Sequence, residues 1–98
     1  MNTAKLAYAT DVVLAFDDSG FDKPKGKQIG SFAIDTTLLM VSADRDIIEK
    51  SYTFISTTYD YELYPLVLGE YSYLIVITKT HSEAKALMAE CFPPRSTA

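Results

Sequence analysis

Cysteine, histidine, tryptophan, glycine and proline are all scarce in this sequence: its 98 residues include one Cys, one His, no Trp, four Gly and four Pro. A single Cys excludes an internal disulfide framework and fits a reducing compartment. A single His excludes a metal cage or a proton relay built from histidines within one chain. No apolar run has the length of a signal peptide or a membrane span, because Thr10 and Asp11 interrupt the N-terminal stretch. We therefore expect a cytoplasmic protein with no membrane partner.

Basic residues are also few. Nine Lys and Arg stand against 13 Asp and Glu, which gives a net charge of −4 and a sequence pI of about 4.7. This balance argues against direct binding to nucleic acid or to an anionic membrane, since both depend on clustered positive charge. Apolar residues make up 48% of the chain and charged residues 22%, as in folded soluble domains. The length predicts one domain over residues 1–98.

Alternating apolar residues predict four strands. They span residues 6–16, where a helix is an alternative for the first part, and residues 31–41, 52–61 and 71–79. Pro65 and Gly69 predict a connecting loop over residues 64–70. The apolar segment 66–68 has no clear place: it belongs either to the core or to an exposed binding loop.

Two helices are indicated by their start signals. Asp44 is a suitable N-cap for a short helix that ends near Lys50. Thr80 and Glu83 have the spacing of a capping box, and the apolar residues that follow them fall on one helical face before Pro93. The element order β-β-α-β-β-α predicts an α+β fold, in which a mainly antiparallel four-stranded sheet carries two helices on one face.

A tyrosine band between residues 52 and 73 is the most informative feature. It holds six of the seven tyrosines, and no Lys or Arg occurs from residue 51 through residue 78. Tyrosine is enriched in protein interfaces, and nearby acidic residues favour a basic partner. The candidate partner-binding residues are Tyr59, Asp60, Tyr61, Glu62, Tyr64, Glu70, Tyr71 and Tyr73. Packing of these aromatic side chains over the core is the alternative.

Three acidic residues near the N-terminus suggest a different chemistry. Asp17 and Asp18, joined by Asp22, supply oxygen ligands of the kind that divalent cations take, although their spacing is not that of an EF-hand loop. The same residues equally suit a turn, since Asp side chains bond their own backbone and Gly20 tolerates positive φ. No metal or cofactor is assigned on this evidence.

The segment Asp17-Asp18-Ser19-Gly20-Phe21, with Lys23, Gly26-Lys27 and Gly30 after it, resembles the first-aspartate segment of some insertion-sequence transposases. In that family a metal-binding Asp ends the first strand of an RNase H-like domain, so the resemblance implies a metal-binding role for Asp17. The chain departs from the family in being acidic and too short for the catalytic domain, and nothing after Gly30 matches.

Other reactive residues are isolated. His81 is expected at an exposed helix start, and Cys91 on the apolar face near the end of the same helix. Ten residues of helix separate the two by about 15 Å, which excludes a Cys-His dyad. Lys23, Lys25 and Lys27 form a basic cluster that either grips a phosphate or an acidic partner, or is a solvated loop. We therefore expect no catalytic residues.

The leading hypothesis is a small, acidic, non-enzymatic protein-binding module. It would act as an inhibitor or immunity-type protein by occluding the basic surface of another protein. Its most specific version is a phage or mobile-element inhibitor of a nucleic-acid-handling machine. One alternative is a metal-dependent phosphate or nucleic-acid enzyme centred on Asp17 and Asp18. The other is a homo-oligomeric module, in the simplest case a homodimer, that pairs edge to edge through a sheet strand.

Overall fold

The chain forms a four-stranded antiparallel sheet with helices, which confirms the predicted α+β class and the order β-β-α-β-β-α. The computed structural model describes residues 12–15 and 23–91. Its elements are β1 (Gly30–Ile34), β2 (Thr37–Ser42), α1 (Arg45–Thr58), β3 (Glu62–Leu68), β4 (Tyr71–Ile77) and α2 (His81–Cys91). The strand order β1-β2-β4-β3 places β2 and β4 in the centre and leaves β1 and β3 as the two edges.

Both helices pack on one face of the sheet, which is called the helix face below. Alternate residues of the central strands point to this face and meet the apolar residues of α1 and α2. The buried cluster consists of Leu38, Met40, Leu74 and Val76 from the sheet and Ile48, Ile55, Ala84 and Leu87 from the helices. This arrangement is the one predicted from the element order.

The opposite face of the sheet is apolar as well. It carries a second buried cluster in which Leu39, Val41, Tyr73 and Ile75 contact Val13. Val13 belongs to a helical stretch over residues 12–15 and is fully buried. Because both of its faces are covered, all six residues of β2 are buried, a pattern typical of a strand inside a two-sided core.

The prediction of a strand over residues 52–61 is wrong, because α1 begins at its predicted cap but continues for 14 residues. Thr, Tyr and Ile favour strands only weakly, and tertiary packing overrides that preference. Ile48 and Ile55, two helical turns apart, are both buried against the sheet. The hydroxyls of Ser51 and Thr57 donate to backbone carbonyls four residues earlier, at 2.9 and 2.8 Å, so these side chains are satisfied within the helix.

Two further strand assignments need correction. Residues 31–41 form a hairpin rather than one strand, because Asp35 adopts a positive φ of 52° in the tight turn between β1 and β2; Asp tolerates this region better than most residues. Residues 64–70, predicted as a loop, contain most of β3. Pro65 is compatible with an edge strand, and Gly69, at φ 61°, lies in the turn into β4.

Three predictions remain: the first strand, the last strand and the start of the last helix. The strand predicted over residues 6–16 is wrong for residues 12–15, which are helical, and its other residues lie outside the described ones. The strand predicted over residues 71–79 is confirmed as β4. The start of α2 is also confirmed, since the hydroxyl of Thr80 accepts a hydrogen bond from the backbone N–H of Glu83 at 3.1 Å.

Candidate protein-binding surface

The structure separates the tyrosine band into parts that face different directions. Residues 59–61 link α1 to β3, and Tyr59 and Tyr61 of this link lie beside α2. Tyr64, Tyr71 and Tyr73 point to the opposite face of the sheet. Glu70 is exposed in the turn between β3 and β4. The eight candidate residues therefore do not form one surface, because α1 occupies the segment that a third strand was expected to fill.

The first part is a compact aromatic contact at the end of α1. Tyr59 is the C-cap of the helix, and its extended backbone conformation leads directly into the link. Because side chains alternate along extended backbone, Tyr59 and Tyr61 share a side, where their rings stack with centroids 5.3 Å apart and planes at 11°. Phe54, from the last turns of α1, meets Tyr59 edge to face at 6.3 Å and is 41% exposed.

Each tyrosine hydroxyl in this contact is directed at a carboxylate of α2. The hydroxyl of Tyr59 donates a hydrogen bond to the carboxylate of Glu90. The hydroxyl oxygen of Tyr61 lies 3.5 Å from Oε1 of Glu83. Glu83 also accepts from the backbone N–H of Lys79 at 3.0 Å. We call this group the tyrosine–acid corner. It comprises Phe54, Tyr59, Tyr61, Glu83 and Glu90. Asp60 and Glu62 alternate with the two tyrosines along the chain and point to the other side.

The electrostatics of the corner keep both tyrosines protonated. The hydrogen bond to Glu90 is the main reason that the pKa of Tyr59 is raised from 10.0 to about 12, with burial as a smaller cause. The pKa of Tyr61 is also raised, first by burial and then by the charge of Glu83. Such phenols are poorer acids than free tyrosine. Their arrangement suits contact and hydrogen bonding rather than proton transfer.

The second part of the band belongs largely to the core. Tyr73 is 1% exposed in the cluster with Leu39 and Ile75, so it takes the core-packing role that was the alternative from sequence. Tyr64 and Tyr71 are half-buried at the margin of the same cluster. The ammonium group of Lys23 lies 5.0 Å from the centre of the Tyr71 ring, within the range of a cation–π contact.

A groove lies on the helix face between α1 and the β3–β4 hairpin. Its volume is about 570 Å³. Arg45, Ile48, Glu49 and Tyr52 line it from the helix, and Pro65 and Val67 are among the strand residues on its other side. Val67 is 55% exposed and Tyr52 is 39% exposed, so the groove presents apolar side chains to solvent. Arg45 and Glu49 form an exposed ion pair at 3.1 Å.

His81 and Cys91, the single histidine and the single cysteine, lie apart from the corner's two tyrosines in different surroundings. The Nδ1 atom of His81 lies 2.6 Å from the backbone carbonyl of Asp35, which ties the start of α2 to the β1–β2 turn. Burial, followed by the charge of Glu90, raises the pKa of the Cys91 thiol from 9.0 to about 11, so little reactive thiolate is present at neutral pH. Within residues 12–15 and 23–91 no three His, Cys, Asp or Glu side chains form a metal-binding group.

The structure describes only some of the other candidate residues that the sequence suggested. Asp17, Asp18 and Asp22 lie outside the described residues. Lys25 and Lys27 are exposed in a turn where the backbone N–H of Gln28 donates to the carbonyl of Lys25 at 3.1 Å. Neither observation assigns a ligand to these residues.

The sequence alone did not indicate that several residues belong to these surfaces. Glu83 and Glu90 are seven residues apart, a spacing that places them on one face of a helix, but nothing in the sequence connected that face to Tyr59 and Tyr61. The apolar residues 66–68, for which the sequence indicates either the core or a binding loop, form the end of β3. Val67 is the most exposed of them.

No protein-family model, curated protein or solved structure matches this chain. Over the described part of the chain, no helix is long and apolar enough to cross a membrane.

Proposed function

We propose that this protein is a non-enzymatic binding module that occludes the basic surface of another protein, as inhibitors and immunity-type proteins do. The observation that carries the proposal is the tyrosine–acid corner. It joins stacked tyrosines and an exposed phenylalanine to the carboxylates of Glu83 and Glu90. Tyrosines offer large contact area at low entropic cost, which is the property of interface hot spots.

The organisation of the corner before binding supports this role. The rings of Tyr59 and Tyr61 are held by stacking and by Glu90 and Glu83, so little side-chain freedom remains to be lost in a complex. Asp60, between the two tyrosines, and Glu62, the first residue of β3, are exposed and point away from the rings. Because the segment from residue 51 through residue 78 contains no Lys or Arg, the surface would attract positive charge and speed the encounter with a basic partner.

The test begins with capture of partners from native lysate and continues with binding kinetics of each purified partner. Asp60→Lys is expected to slow association and to weaken its dependence on salt, since exposed charges act mainly on the encounter rate. Asp46→Lys is the matched control, because it changes the net charge equally at the other end of α1, about 20 Å away. Equal slowing by both variants would contradict a role for the corner.

The aromatic part of the surface has its own comparison. Tyr61→Ala is expected to speed dissociation, whereas Tyr64→Ala, which removes a similarly half-buried tyrosine from the opposite face, should leave dissociation unchanged once folding is verified. Capture of no stoichiometric partner, or equal effects of the two variants, would count against the proposed function.

A further inference from the structure

The outer edge of β3 carries backbone groups that the described chain does not pair. β3 pairs with β4 from Glu62 to Leu68, and no other described strand lies beside it. Pro65 aligns with Leu74 and has no N–H to donate, so it fits where the ladder to β4 requires none. The N–H and C=O of one residue point to the same side of an antiparallel strand, and this side alternates. Leu63 and Val67 therefore direct their N–H groups outward with Pro65.

The side chains of β3 also alternate between the two faces of the sheet, and those on the helix face line the groove. Leu63 packs with the helix-face cluster, so the side chains of Pro65 and Val67 also lie on the helix face, where they line the groove. A strand added beside β3 would place every second side chain next to Val67 and Tyr52. The edge thus offers backbone hydrogen bonds, and the groove beside it offers apolar contact to alternate residues.

The charge around this edge selects among possible occupants. Asp60 is exposed just before β3 begins, and Glu70 is exposed in the turn after its end. Among residues 12–15 and 23–91, Arg45 is the one basic residue that lines the groove, and it is paired with Glu49. An occupant with positive charge at each end and apolar residues at alternate positions between them is complementary to this pattern.

We propose that β3 binds an extended peptide segment of a partner protein, about seven residues long, whose alternate residues are apolar and whose ends are basic. The segment pairs with the outer edge of β3 and turns its apolar side chains toward the groove. This proposal rests on the proposed function, since it specifies how part of a basic partner docks.

The test uses the blocked peptide Lys-Val-Ser-Val-Ser-Val-Lys and the full-length protein, observed by backbone amide chemical shifts and hydrogen exchange. Binding is expected to protect the amides of Leu63 and Val67 and to leave those of Ile34 and Leu14 unchanged. The same peptide with glutamate in place of both lysines should bind at least about tenfold more weakly. Binding of both peptides with equal strength would overturn the assignment of a basic segment.

Two matched variants locate the site. Val67→Lys introduces a charge on the β3 edge and should weaken binding about tenfold or more. Ile34→Lys makes the same kind of change on β1, the other edge of the sheet, and should have no effect. Ile34 is 39% exposed and Val67 is 55% exposed, so folding should survive both changes. Equal weakening by the two variants would overturn the proposed site.

Three other outcomes would also overturn this inference, each distinguishable from failure of the proposed function. Shifts at the tyrosine–acid corner without protection of Leu63 and Val67 would leave the proposed function supported and remove the β3 site. Absence of any binding would remove the β3 site, while the capture experiment would still decide on the corner. A dimer in sedimentation that Val67→Lys dissociates would assign β3 to a second copy of this chain.

Discussion

At the scale of single residues, the tyrosine–acid corner illustrates how one hydrogen bond fixes both geometry and charge. Glu90 accepts from the hydroxyl of Tyr59, and this contact holds the ring against Tyr61 and links α2 to the end of α1. A carboxylate next to a phenol favours the protonated phenol, because ionisation would place two negative charges together. The corner therefore keeps its hydroxyl donors at any physiological pH.

The first prediction concerns the ionisation of Tyr59. Its pKa is raised from 10.0 to about 12 in the folded protein, so the stabilisation from this contact is fully present below pH 10 and is lost as the pH rises toward 12. Glu90→Gln should lower the pKa, and the tyrosinate absorbance of the folded protein should then develop at lower pH. Glu49→Gln, on an exposed site of α1, is the control. Identical titrations of the two variants would show that Glu90 does not control this phenol.

At the scale of elements, the sequence predicts features that depend on neighbouring residues, such as helix starts. It does not predict features that depend on contacts between distant parts of the chain. Asp44 and Thr80 were recognised as helix starts because a cap depends on residues two or three positions away. The helix predicted to end near Lys50 is too short, because α1 continues to Thr58. Contacts with the sheet stabilise the helical conformation of Ile55, whereas its local preference does not favour a helix. The loop predicted around Pro65 is wrong for a related reason: only the strand order shows that Pro65 lies at an edge, where its missing N–H is harmless.

The second prediction tests the start of α1. The side chain of Asp44 accepts a hydrogen bond from the backbone N–H of Asp46 at 3.0 Å. Asp44→Ala should lower the free energy of unfolding by about 1 kcal/mol, the typical value of an N-cap. Asp46→Ala removes an exposed carboxylate that pairs with Lys50 and should cost less than about 0.5 kcal/mol. Urea denaturation measures both, and equal losses would indicate that the cap contributes nothing beyond surface charge.

At the scale of the whole molecule, the candidate surfaces depend on which layers cover the sheet. The two helices on the helix face could be anticipated from the element order, whereas the cover on the other face could not. Alternation in residues 6–16 suited a strand, and the helical state of residues 12–15 follows from packing over Leu39 and Ile75. This cover explains why Tyr73 is in the core.

The last prediction tests whether that cover is part of the cooperative fold. Val13 is fully buried against the sheet, whereas its neighbour Leu14 is 53% exposed. Val13→Ala removes two buried methyl groups and should lower the free energy of unfolding by about 2 kcal/mol. Leu14→Ala removes more carbon atoms from an exposed site and should change it by less than about 0.5 kcal/mol. Urea unfolding followed by circular dichroism distinguishes the two. A larger loss for Leu14→Ala than for Val13→Ala would mean that residues 12–15 do not pack on the sheet in this way, and Tyr64 and Tyr71 would then have to be reconsidered as part of a binding surface.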